Sequence, residues 1–127
     1  MSRVLLDTSV LIDADDPGDL EGGISAASLA ELHFGTLVAA DPDERARRAQ
    51  RLGVIEATFD PLPVDARVAR EWGRLAAAVA ERGARPRRRA IDLVIAATAN
   101  VHGVRLLTAD TADLAIIDDL VEVQAVS

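Results

Sequence analysis

The sequence predicts a single α/β domain, a central parallel sheet flanked by helices on both faces, and three observations predict it. Short apolar runs alternate with longer segments of helical periodicity from one end of the chain to the other. The two strongest runs, Arg3–Leu6 and Val104–Leu107, each break off close to an acid, Asp7 and Asp110, as buried parallel strands do where they meet a functional cleft. Half of the 127 residues are hydrophobic, enough for one core and too few for two, so residues 1–127 are expected to form one domain.

Each element follows from local chemistry. Arg3–Leu6 is a continuous apolar strand. Asp7-Thr8-Ser9 then supplies capping side chains for a short helix holding Val10, Leu11 and Ile12. Residues 15–23 are rich in Asp, Gly and Pro and form a loop, and Gly23–Ser25 is a candidate brief strand. A helix over Ala26–Ala40 closes at Asp41-Pro42. Asp43–Ala57 is a charged helix whose Arg45, Arg47, Arg48 and Arg51 are expected to be largely solvated. Phe59–Val64, with two prolines, runs extended. Asp65–Gly83 is amphipathic, its Val68, Trp72, Leu75 and Val79 falling at three- and four-residue spacing. Arg82–Arg89 is a basic loop, and Ile91–Val101 an apolar helix with Gly103 as its C-terminal stop. Val104–Leu107 is the second buried strand. Val121–Val126 alternates apolar and polar residues as an edge strand does.

Composition removes whole classes of function. There is no cysteine, which excludes disulfides, thiol nucleophiles and zinc–thiolate sites. All 14 basic residues are arginine, so no lysine is present for a Schiff base or a P-loop. A net charge of −7 argues against a general nucleic-acid coat, though not against an acidic centre that holds cations beside a separate basic patch. No apolar run approaches the roughly 20 residues that cross a bilayer. Residues 1–13 hold one Arg and two Asp with no long apolar stretch, unlike a secretory signal. The expectation is a cytoplasmic protein with no membrane contact.

Four carboxylates carry the chemical signal, and each has an ordinary reading as well. Asp7 follows a strand and is equally an N-cap. Glu31 lies in Ser28-Leu29-Ala30-Glu31-Leu32, which matches a capping box between Ser28 and Glu31. Asp92 opens the most apolar helix, where it also favours the helix dipole. Asp110 closes the second strand and fits an Asx turn; Asp113, three residues on, is a candidate cap or a supporting acid. Together they lie at strand ends and helix starts that the fold rule brings to one cleft. Like charges so gathered raise one another's pKa values, and Mg²⁺ or Mn²⁺ resolves the repulsion because hard cations prefer carboxylate and water oxygens. Thr8, Ser9 and Thr108 stand beside these acids as supporting groups.

Four ordered motifs resemble those of PIN domains, above all the VapC-type toxins: Val4–Asp13, Ser28–Leu32, Asp92–Ala99 and Leu107–Leu114. The resemblance spans nearly the whole chain. It implies a PIN fold and a metal-dependent endoribonuclease in which Asp7, Glu31, Asp92 and Asp110 hold Mg²⁺ or Mn²⁺ and a metal-activated water cuts RNA. It also implies a homodimer and a VapB-like antitoxin. The alternatives are a PIN nuclease of RNA processing with no antitoxin and a non-catalytic PIN domain that binds RNA or protein. In the fourth motif Ala109, Asp110 and Leu114 depart from the family's frequent Arg, Asn and Phe, which leaves Asp110 or Asp113 as the fourth acid. Asp110 is favoured as the nearer to the strand end.

Other features read differently. Position 9 is Ser, so the second Asp of a haloacid-dehalogenase-like phosphatase is missing. His33 and His102 fit neither a triad nor a metal spacing and are read as structural. Trp72 belongs to a core stripe or a subunit interface. The run through Arg85, Arg87, Arg88 and Arg89 leads into Asp92; it is either a solvated loop or a set of phosphate contacts for RNA.

Overall fold

A computed structural model describes residues 3–126; the first two residues and the last of the expected 1–127 domain lie outside that range. Strand β1 (Val4–Leu6) pairs in parallel with β2 (Arg105–Thr108), Leu5 opposite Leu106. On its other side β2 pairs in parallel with β3 (Val123–Ala125), Leu107 opposite Gln124. Beyond β1, parallel bridges join Leu5 to Gly23 and Ser25 to Leu62. The brief strand expected at Gly23–Ser25 and the extended piece at Phe59–Val64 therefore widen the sheet by bridges without becoming full strands.

The helices are α1 (Thr8–Asp13), α2 (Ala26–Leu37), α3 (Pro42–Thr58), α4 (Ala66–Glu81) and α5 (Ala90–Val101). Alternation along β1 explains the two layers. Leu5 points into a core built with Val68, Leu75 and Val79 of α4, Leu93, Ile95 and Ala96 of α5, and Leu106. Leu6 points the other way, to Val10 and Leu11 of α1, Ile24 of the bridged segment, Ile55 of α3 and Phe59 at its C-terminal end. Each leucine, isoleucine or valine fully buried among them contributes about 2 kcal/mol of transfer free energy. Small residues, Ala76 and Ala96 among them, line the first core and let α4 and α5, the most extensively paired elements, approach closely. The indole N–H of Trp72 donates to the carbonyl of Ala90 at 3.0 Å and ties α4 to the first turn of α5.

Caps set the helix ends. Asp41 accepts from Glu44 N, with Pro42 at the first helical position, and Asp65 accepts from Val68 N at 3.0 Å. Helices α4 and α5 both end in Schellman turns. Gly83 (φ 86°) and Gly103 (φ 64°) supply the left-handed residue, and the next amides, Ala84 and Val104, reach back to the carbonyls of Val79 and Ala99.

Arg45, Arg47 and Arg48 of α3 are exposed, as expected, and Arg51 is partly buried. Three of them also reach backbone: Arg51 donates to the carbonyls of Leu11 and Ala14 at 2.9 and 2.7 Å, Arg48 to Gly35 O and Arg45 to Leu37 O. They satisfy backbone acceptors at the ends of α1 and α2. The basic loop holds a 3₁₀ turn, Pro86–Arg89, and a longer one, Thr111–Ile117, follows β2 where the sequence reading placed no element.

Candidate active site

Asp7 sits where β1 leaves the sheet, its amide donating to Leu107 O at 2.9 Å. It occupies the N-cap position of α1, yet its side chain makes no cap hydrogen bond. Its Oδ2 instead accepts from the hydroxyls of Ser9 (2.8 Å) and Thr108 (2.9 Å). Those hydroxyls are fixed in turn by the amides of Ala109 and Asp110. Both donors converge on one oxygen, and among the described residues Oδ1 takes no hydrogen bond.

Glu31 is held in the same manner. Thr8 Oγ1 donates to Glu31 Oε1 at 2.6 Å and lies 3.0 Å from Ser28 Oγ. The capping-box reading of Ser28 and Glu31 is overturned. Ser25 caps α2, accepting from Ala27 N, so Ser28 lies inside the helix, fully buried, and faces Thr8. Its position one turn before Glu31, on the same helix face, was the available signal for this role.

Asp92 occupies the first turn of α5 and is half-buried. Burial pushes its carboxyl up to about 6, and the charges of Asp7, Glu31 and Asp113 push the same way, against a smaller opposing pull from Arg89. Four acids thus share one field at the carboxyl ends of β1 and β2.

Asp110, favoured from sequence as the fourth acid, is not in that group. Its carboxylate accepts from Ala112 N at 3.2 Å and caps the Thr111–Ile117 turn. The turn then carries Asp113 into the cavity that Asp92 lines. Among the described residues no three His, Asp or Glu side chains stand close enough to share one metal ion directly.

That cavity, about 490 Å³, is lined by Ala84, Arg85, Arg88, Arg89, Asp92 and Asp113. Arg87 is exposed and outside its lining. Arg89 donates to the backbone carbonyl of Asp113. A larger groove, about 620 Å³, runs between α1, α2 and α3, and of the four acids only Glu31 reaches it. Asp92 and Asp113 face Arg85, Arg88 and Arg89 in the smaller cavity, and Asp7 lines neither. His33 pairs with Glu56 on the surface at 2.6 Å, and His102 lines a separate cavity beside Gly22 and Gly23.

Comparison with known proteins adds to this geometry. A family model described as PIN domain matches residues 4–120. Ribonuclease VapC4 of Mycobacterium tuberculosis is 37% identical over 125 residues, 93% of each chain. Ribonuclease VapC5 of the same organism is 37% identical over 131 residues, 96% of this chain and 93% of that protein. A crystal structure of a member of the VapBC family of toxin–antitoxin systems, VapBC-5 from Mycobacterium tuberculosis, superposes with a TM-score of 0.80 at 36% identity, covering 99% of this chain and 98% of that one.

Proposed function

The chain belongs to the PIN-domain family, and from that premise we propose that it is a metal-dependent endoribonuclease, the toxin of a VapBC-like toxin–antitoxin pair. One observation carries the proposal: Asp92 is half-buried within the field of Asp7, Glu31 and Asp113, and burial first, then those three charges, lift its carboxyl to about 6. Carboxylates set against one another in a half-buried cleft cost free energy, and a bound divalent cation returns it.

The donors fit such an ion. All are carboxylate oxygens, the preference of Mg²⁺ and Mn²⁺. Mg²⁺ commonly keeps several waters and takes only one or two carboxylates directly, which suits acids that share a field without forming a three-ligand cluster. Asp7, Glu31, Asp92 and Asp113 would hold it, partly through water. When bound, the cation supplies an ionised water nucleophile and neutralises charge on the phosphodiester.

The chain's own groups do the rest. Ser9 and Thr108 orient Asp7, and Thr8 orients Glu31. Arg85 and Arg88, at the rim of the acidic cavity, neutralise phosphates flanking the cut. A VapB-like antitoxin belongs to the same proposal, supported by the likeness to a member of the VapBC family of toxin–antitoxin systems, and a homodimer and a cytoplasmic location are proposed with it. Among the described residues no helix is long and apolar enough to cross a membrane.

The test is cleavage of single-stranded RNA by purified protein freed of any partner. Activity with Mg²⁺ or Mn²⁺ that disappears with EDTA and in Asp7→Asn supports the reading. Cleavage indifferent to both would sink it. Recovery of the chain from its host without a small co-purifying protein would favour an RNA-processing nuclease.

A further inference from the structure

The basic segment between α4 and α5 grips the acid-bearing turn at two points. Arg89 donates through Nη1 to the carbonyl of Asp113. Arg82 donates to the carbonyl of Ile116 at 2.6 Å and to both carboxylate oxygens of Asp119 at 2.7 and 3.0 Å. The gripped segment is the 3₁₀ turn Thr111–Ile117. Runs of more than about four residues in this conformation are uncommon, because its internal hydrogen bonds are poorly aligned. Seven residues of it therefore need support from outside. Leu114 and Ile117 anchor the buried side in the core; the two arginines hold the other.

Arg85 and Arg88 lie between the grips, and among the described residues their side chains make no hydrogen bond to the protein while both line the cavity with Asp92 and Asp113. An arginine whose Nη1 is committed to a carbonyl presents less than its full fork to a phosphate.

We propose that Arg82 and Arg89 are positioning residues that brace the Thr111–Ile117 turn so that Asp113 stands beside Asp92, leaving Arg85 and Arg88 to meet the RNA backbone. This divides a run that sequence alone treats as uniform, and it rests on the ribonuclease reading above. The brace acts through Asp113, so it governs turnover and not substrate capture.

The experiment compares Arg82→Ala, Arg89→Ala, Arg89→Lys and the double variant Arg85→Ala/Arg88→Ala in the full chain. Mg²⁺-supported cleavage of single-stranded RNA gives kcat and KM separately, and amide hydrogen exchange is followed over residues 111–119. Arg89→Ala should lower kcat about ten- to a hundredfold, the cost of a misplaced group, with KM unchanged and faster exchange in the turn. Arg82→Ala should speed exchange around Ile116. Arg89→Lys, which keeps a donor, should recover part of both losses. The Arg85/Arg88 variant should raise KM, flatten the salt dependence of binding by about 0.7 per lost contact, and leave the exchange alone. In an Asp113→Ala background, Arg89→Ala should cost nothing more. A raised KM at unchanged kcat in Arg89→Ala, unaltered exchange, or losses that add to those of Asp113→Ala would each overturn the brace. If the wild-type protein cuts no RNA, the ribonuclease reading fails by itself, and the exchange measurement still decides whether the arginines hold the turn.

Discussion

Replacing Asp92 with Asn keeps the shape of the side chain and removes its charge. In the folded chain the carboxyl is lifted from 3.8 to about 6, chiefly by burial and then by Asp7, Glu31 and Asp113. At about 1.4 kcal/mol per pH unit this gap is worth at most about 3 kcal/mol. Solvent reaches a half-exposed group and screens it, which leaves about 1 kcal/mol. The sign follows from linkage. The folded state holds the Asp92 proton more tightly than the unfolded state, so the penalty is absent below about pH 4, where both are protonated. It grows as pH rises towards about 6 and is complete above that. Without divalent cation, Asp92→Asn should therefore melt about 4 °C above the wild type near pH 8, and the two should converge near pH 3.5. Added Mg²⁺ should raise the melting temperature of the wild type through binding linkage and leave the Asn variant nearly unmoved. Calorimetric scans across that pH range, in EDTA and in Mg²⁺, check each part. An Asn variant no more stable than wild type near pH 8, or a gap that persists in acid, refutes the shared-field argument.

Asp7→Asn should abolish metal-dependent RNA cleavage while far-UV circular dichroism stays native, because its oxygen can still accept from Ser9 and Thr108. Thr8→Val removes the hydroxyl that holds Glu31 at 2.6 Å; kcat should fall about tenfold and urea denaturation should show a loss of about 1 kcal/mol. Asp113→Asn should lower kcat about a hundredfold in a steady-state assay, whereas Asp110→Asn should cost only part of a cap, under about 1 kcal/mol, and keep most of its activity. Leu93→Ala opens a void among fully buried neighbours and should destabilise the fold by about 3 kcal/mol in a denaturant titration.

What the sequence disclosed depended on whether a residue's partners are close in the chain. Strands β1 and β2 were legible because an apolar run that halts at a polar turn has few other readings. Asp92 was legible because a carboxylate opening so apolar a helix is costly unless it has a task. Ser28 was misread since Ser-x-x-Glu looks the same whether the serine caps a helix or packs inside one; Ser25, three residues earlier, took the cap. Asp110 was favoured over Asp113 for its closeness to the strand end because the turn that separates them was not foreseen. Once the chain bends there, the first acid is captured by the amide of Ala112, two residues on, and the second is delivered to the cavity. The Arg51 contacts cross 37 and 40 residues, so no local charge pattern announces them.

One of the two hydroxyls that steady Asp7 comes from Thr108, 101 residues away, and β1 has no full-length neighbour in the sheet until β2 exists. This long closure sets an order of events during synthesis. A chain still on the ribosome can form α2, α3 and their local turns early, because those contacts are near in sequence. Its first strand must wait for residues 105–108 to emerge before it can pair. Until then Asp7 lacks Thr108, Asp92 lacks the turn that brings Asp113, and the acids remain dispersed. Fragments truncated before β2 are accordingly expected to be inert whatever helices they retain, and folding should be limited by the meeting of the two ends of the molecule.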